Sequence, residues 1–283
     1  MASPLRAESK LLVGFDSAWT ASNSGALVGV VQTESGSWLE LGPPQIANYL
    51  EAEAAILEWQ AEHQPGSTIV LLDQPTIVAN KKGQRPVESI IGSAVSRRYG
   101  GMQPANASRE EMFGAAAPVW PFLNRFGGPA DPERPSSTPR VFETYPVLAL
   151  IALDWVRPDL RPTGRLPKYN PARMGTFSLA DWQFICEKAS AAFAELNLPG
   201  IHGWLQGMAE KDRPRKQDQD CLDACLCLLV ALAVVQPKEC LMIGNIQTGY
   251  IIVPYNEHLA IELEIRCKRT GRVPIEWVRS IRP

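Results

Sequence analysis

Histidine is scarce in this chain: His63, His202 and His258 are all that its 283 residues hold. None stands in a recognisable catalytic context, and no Gly-x-Ser-x-Gly elbow occurs, so a serine or cysteine hydrolase is not expected. The six cysteines (Cys186, Cys221, Cys225, Cys227, Cys240 and Cys267) form no Cys-x-x-Cys pair, and no partner His or Cys stands at zinc spacing. They read as buried free thiols. No apolar run reaches the roughly 18 residues of a membrane span. Ala224–Val235 is the longest and falls short, so no membrane association is expected. Met1–Lys10 lacks the hydrophobic core of a secretion signal, which makes a cytoplasmic location the expectation. Strong net charge is also missing. A balance of −2 argues against broad, nonspecific binding to long nucleic acid.

What is present is an ordinary globular composition with an uneven charge map. Hydrophobic content of 45% and charged content of 20% suit a chain of one large domain or two small ones. Glu34–Glu62 carries six acids and no Lys or Arg, whereas Arg161–Arg173 carries four basic residues and no acid. Lys81–Arg98 and Arg266–Arg282 are also basic. Such patches are commonly solvated surface, but one of them can hold a phosphate-bearing ligand.

The opening stretch sets the pattern. Leu11–Val13 is a short apolar run of the kind a buried strand shows, and Asp16 appears as it ends. Ser22–Gly25 is a turn, and Ala26–Val31 returns as a second strand. Trp38–Leu41 reads as a third. Gln45–Glu62 has helical apolar spacing and reads as one amphipathic helix. Thr68–Leu72 is a wholly apolar strand running into Asp73, and Val141–Phe142 runs into Glu143 in the same way. Between them, Ile77–Pro139 lacks the periodicity of a separate core and reads as an insertion covering one end of the sheet. Within it, Val87–Tyr99 and a short segment from Arg109 are expected helices, and Pro129–Pro139 is an expected exposed loop.

Pro146–Asp154 follows as a short helix. Ser178 is a good N-cap for Leu179–Leu196, Ile201–Met208 reads as a further helix, and Lys211–Lys216 as a basic linker. Cys225–Val235 is apolar all round, the mark of a buried helix, which Pro237 stops. Cys240–Gly244 and Tyr250–Pro254 resemble a hairpin. The result is an α/β pattern with an antiparallel opening and parallel strands after it.

The acids are the candidate chemistry. Asp16, Asp73 and Glu143 each end an apolar strand, and Asp220 and Asp223 lie three residues apart on one face of the late helix. If the strands are neighbours, the carboxylates converge where the helix crosses the sheet. A charged acid ending a buried strand costs several kcal/mol unless it gains a partner, which a metal supplies. Hard cations such as Mg²⁺ take oxygen ligands, and two such ions about 4 Å apart serve phosphodiester cleavage. Asp16, Asp73 and Asp223 are the expected metal ligands, with Asp220 or Glu143 completing the set. Simpler readings stand beside these. Asp73 suits a turn, Asp220 complements a helix dipole, and Glu143 pairs with an arginine such as Arg85 or Arg173. Lys81, Lys82, Arg85, Lys168 and Arg173 are the candidate phosphate-holding residues.

Val13–Trp19, Leu72–Pro75, Phe142–Pro146 and Asp220–Ala224 together resemble the domain-of-unknown-function 429 family, described as predicted ribonuclease-H-like nucleases. The resemblance spans roughly residues 11–254. Asp220-x-x-Asp223-Ala224 also resembles the metal-binding helix of Holliday-junction resolvases. The resemblance implies a ribonuclease-H-like mixed five-stranded sheet of order 3-2-1-4-5, strand 2 antiparallel, flanked by helices. It further implies a single domain over 1–283, with core about 11–76 and 140–254, a long insertion at 77–139 after strand 4, and a C-terminal extension at 255–283.

On this reading Asp16, Asp73, Glu143, Asp220 and Asp223 form the catalytic cluster of a nuclease using Mg²⁺ or Mn²⁺ on a nucleic acid or nucleotide phosphate. Two alternatives compete. An actin-like phosphotransferase shares the topology, but Ser17-Ala18-Trp19-Thr20 replaces its phosphate loop and Gly244–Gly249 is a poor substitute for its second one. A non-catalytic binding protein would have no use for buried acids.

Overall fold

A computed structural model describes residues 9–134, 139–236 and 239–282. The expected leader-free segment Met1–Lys10 lies almost wholly outside these residues, as do the helix stop at Pro237 and part of the loop Pro129–Pro139.

Strand β1 (Lys10–Asp16) is the axis of a mixed six-stranded sheet. On one side it pairs antiparallel with β2 (Gly25–Gln32), which carries both β3 (Trp38–Glu40) and β4 (Gln45–Ala47). On the other it pairs parallel with β5 (Ser67–Leu72), which pairs parallel with β6 (Arg140–Glu143). The path is β3-β2-β1-β5-β6, with β4 off it.

The sixth strand, β4, corrects the expectation of one helix over Gln45–Glu62. Asn48 breaks that segment. Its Oδ1 accepts from the Leu50 and Glu51 backbone N–H groups at 2.9 and 3.0 Å, and Glu51 Oε2 accepts from Asn48 N–H at 2.8 Å. This reciprocal cap starts helix α1 at Tyr49 (Tyr49–His63), and the residues before it add to the sheet instead.

Strand alternation assigns the two faces. Leu11, Val13, Phe15, Val70, Leu72 and Val141 point into one core with α1. Leu12, Ile69, Leu71 and Phe142 point into the other.

The insertion contributes to both cores rather than lying over one end. Its first helix, α2 (Pro86–Arg97), buries Val87, Ile90, Ile91, Ala94 and Val95 in the second core. After the short α3 (Glu110–Phe113), helix α4 (Val119–Arg125) buries Val119, Phe122 and Leu123 in the first. Helix α4 is too short and proline-flanked to show a periodicity in the sequence.

Helices α5 (Pro146–Ala152), α6 (Leu179–Glu195) and α7 (Pro199–Ala209) follow, with Ser178 capping α6 through Asp181 N–H. Helix α8 (Lys216–Val235) crosses β1 and β2 on the face of Leu12. The crossing is close because β1 has Gly14 there. A Cβ at Gly14 would stand 2.2 Å from the Ala224 carbonyl oxygen and 2.4 Å from Leu228 N. The remaining chain forms β7 (Cys240–Asn245) and β8 (Gly249–Pro254), an antiparallel hairpin, then α9 (Glu257–Arg269), α10 (Pro274–Trp277) and β9 (Val278–Ile281). β9 pairs with β7, making a second, three-stranded sheet. Among the described residues no helix is long and apolar enough to cross a membrane.

Candidate functional site

The parity that puts Gly14 against α8 puts Asp16 on the same face, two residues on. Asp73 follows Ile69 and Leu71 by the same alternation, and Asp73 N–H donates to Phe15 O at 2.9 Å, which sets the two strand ends level. Helix α8 then brings Asp220 and Asp223 down over them. A cleft of about 920 Å³ opens at this end of the sheet, and Asp16, Asp73, Asp220 and Asp223 all line it.

The floor is tied together by polar contacts. Gln74 is fully buried, and its Oε1 accepts from Ser17 Oγ at 2.6 Å and from the Tyr49 hydroxyl. Trp19, held at φ 61°, donates its indole N–H to the Asp73 carbonyl at 2.9 Å. On α8, Asp218 accepts from Arg215 N–H at 2.6 Å and so serves as the acid of the first turn. That leaves Asp220, two residues further on, available to the cleft, where it pairs with Lys216. Asp223 accepts from Tyr169 Oη at 2.8 Å and Gln219 Nε2 at 2.5 Å. The other end of the Gln219 amide, Oε1, is buried without a partner.

Burial raises the carboxyls of Asp16 and Asp73 well above the usual carboxylate range, and the neighbouring Asp223 adds to it. Asp223 itself is pushed up to about 6, chiefly by burial, with Lys216, Tyr169 and Gln219 pulling it back. Burial works against the Lys216 ammonium, but Asp16 and Asp220 outweigh it and hold its pKa above the ordinary lysine value. Four acids therefore share one resident cation. They are neighbours rather than a closed ligand set: among the described residues no three His, Cys, Asp or Glu side chains are gathered as a metal ion would need. The donors nevertheless have the right chemistry for a hard divalent cation, since all are oxygens and Gln219 Oε1 adds an unsatisfied one.

Glu143 also lines the cleft and adds to the upward push on Asp73, but its carboxylate is paired with an arginine. It pairs in register with Leu72, so alternation turns it to the Val141 side of the sheet. There it meets Arg85, Nη1 to Oε2 at 2.8 Å and Nη2 to Oε1 at 2.6 Å, and it also accepts from Thr76 N–H at 3.0 Å. Arg85, in turn, donates through Nε to Glu88 at 2.8 Å. Its guanidinium is committed within the protein, which removes it from the phosphate-holding set.

Lys81 and Lys82 sit on an exposed turn and do not line the cleft. Lys168 and Arg173 do line it. The sequence reading missed Lys216, which it placed in a linker, and Gln219, Tyr169 and Gln74. Lys216 and Gln219 each lie four residues before a cluster aspartate, and that helical spacing was the one available signal. Tyr169 sits in an irregular loop and carried none.

No curated protein and no solved structure matches the chain. A family model does, over residues 14–247, a span that contains all four cleft aspartates, and the chain belongs to that family, described as Protein of unknown function (DUF429).

Proposed function

We propose that the protein is a divalent-metal-dependent hydrolase of phosphate ester bonds built on a ribonuclease-H-like core. The observation that carries this reading is the convergence of Asp16, Asp73, Asp220 and Asp223 from two parallel strand ends and one crossing helix. The sheet path β3-β2-β1-β5-β6, with an antiparallel β2, supports the ribonuclease-H-like classification.

Asp16, Asp73, Asp220 and Asp223 would hold Mg²⁺ or Mn²⁺, with Gln219 Oε1 as a further oxygen. Such an ion, when bound, lowers the pKa of a water and neutralises charge on phosphate oxygens. The chain's own groups do the rest. The carboxylates orient the water and take its proton as its oxygen bonds to phosphorus and the bond to the leaving oxygen breaks. The leaving oxygen then takes up a proton from solvent. Tyr169 and Gln219 fix the Asp223 carboxylate in one orientation, so no reorganisation is needed at the moment of reaction.

A phosphotransferase reading fares worse. Trp19, packed on Phe113 at 5.7 Å between centroids, fills the turn where a phosphate loop would run.

The test is Mn²⁺ titration by calorimetry of the parent, Asp16→Asn and Asp223→Asn, followed by hydrolysis assays on DNA, RNA and nucleotides. Binding by the parent alone, with metal-dependent hydrolysis, is expected. A parent that binds no Mn²⁺, even with an oligonucleotide present, sinks the proposal and leaves a binding protein.

A further inference from the structure

Three of the four cluster carboxylates are buried, and Asp73 is half-buried. Asp16, Asp220 and Asp223 are 7%, 6% and 5% exposed. A reacting phosphate must therefore enter the cleft to reach them. A duplex carries its backbone phosphates on the outside of a stiff rod, so seating one in a recess costs deformation energy that a small phosphate ester avoids. A volume of about 920 Å³ lies within the range of small-molecule sites.

The charge on the walls is equally restrictive. Among the described residues lining the cleft, the cations are Arg85, Lys168, Arg173 and Lys216. Arg85 is bound to Glu88 and Glu143, and Lys216 to Asp220. Lys168 donates to the Tyr99 carbonyl but forms no ion pair. Among the described residues the Arg173 side chain has no hydrogen-bond or ion-pair partner, and only its backbone is engaged. Lys168 and Arg173 both line the cleft, and burial together with the nearby Arg165 and Arg173 lowers the pKa of Lys168. Tyr145 also lines the cleft. Its hydroxyl donates to the Gly101 carbonyl at 2.7 Å. A cleft with one free guanidinium has no track of cations along which to hold successive phosphates of a strand.

We infer that the substrate is a mononucleotide-sized phosphate ester, anchored by Arg173 in the cleft that the aspartates line, and not a nucleic-acid strand or duplex. This rests on the hydrolase reading for its chemistry but not for its binding test.

The experiment is calorimetric titration of the full chain with AMP, a 12-nucleotide single strand and a 12-base-pair duplex, each with and without Mn²⁺, for the parent and Arg173→Met. The expected result is AMP binding that weakens about tenfold in Arg173→Met, with neither oligonucleotide binding more tightly than AMP. Arg173 is exposed, so the variant keeps its fold, which circular dichroism checks. Unchanged AMP affinity in Arg173→Met overturns the anchor. No AMP binding in the parent, or a strand or duplex binding tenfold more tightly than AMP, overturns the substrate class. Loss of Mn²⁺ binding alone, with Arg173-dependent AMP binding intact, overturns the metal hydrolase and leaves this inference standing.

Discussion

The Arg85 guanidinium meets the Glu143 carboxylate in a two-point pair, 2.8 and 2.6 Å, with both side chains almost wholly buried. The pair joins the insertion to strand β6. Burial pushes Glu143 upward while Arg85 pulls it down, and Glu88 holds the third edge of the same guanidinium. Removing Arg85 leaves two buried carboxylates without a counter-charge. Arg85→Met should lose about 3–5 kcal/mol of stability in urea unfolding. Glu143→Gln should also destabilise yet leave Mn²⁺ affinity unchanged. A folded Glu143→Gln that binds no Mn²⁺ would return Glu143 to the cation site.

The aspartate cluster makes metal-free stability depend on pH in a definite direction. Asp223 titrates near 6 in the folded protein, above its ordinary range, so the folded state holds a proton that the unfolded state releases. Its stabilising protonation is complete at low pH and is lost as pH rises from about 4 through about 6. The contribution is about 1–3 kcal/mol. Asp223→Asn should reduce this slope, leaving the part due to Asp16 and Asp73, and raise the metal-free melting temperature at pH 7.5 by roughly 2–6 °C. The introduced amide nitrogen can donate to Gln219 Oε1, which now lacks a partner. The check is thermal unfolding of parent and variant at pH 5 and pH 7.5. Equal slopes in the two proteins would refute it.

Gly14 couples the fold to the site. A methyl group there would meet the α8 backbone at 2.2 Å, where no flexible side chain can yield. Gly14→Ala should cost about 3 kcal/mol or more. It should also lift α8 from β1 and part Asp16 from Asp220 and Asp223, so that the folded fraction loses Mn²⁺ affinity as well. Stability loss with normal Mn²⁺ affinity would show that the helix can shift without opening the cluster.

Lys216 is the positive charge the four acids share. Its ammonium pairs with Asp220 and is drawn to Asp16. A divalent cation arriving among the same carboxylates meets that charge as a repulsion. Lys216→Met should therefore lower metal-free stability by about 1–3 kcal/mol and raise Mn²⁺ affinity several-fold. A fall in Mn²⁺ affinity would mean instead that Lys216 positions Asp220 for the ion.

The strand ends and the late helix were legible because each has a local signature. Leu11–Val13 and Thr68–Leu72 are apolar runs closed by an acid, and Cys225–Val235 is apolar on every side. Alternation then fixes which way Asp16 and Asp73 face once a neighbouring residue is known to be inside. The Asn48 cap was also written in the chain, as Asn48 with Glu51 three residues on, although the apolar spacing across it reads as one continuous helix.

Register and partner choice were decided only by the tertiary structure. Glu143 ends an apolar strand just as Asp73 does, yet it pairs with Leu72, one residue out of step, and its carboxylate is taken up by Arg85 at the cleft wall. That step depends on where two distant strands align, which no local pattern records. Likewise Tyr169 reaches Asp223 across 54 positions of sequence, and the near contact of Gly14 with α8 sets the helix depth that gathers the aspartates. The sequence alone determined which residues could carry charge into the core. Packing determined which of those charges found a partner and which were left facing the cleft.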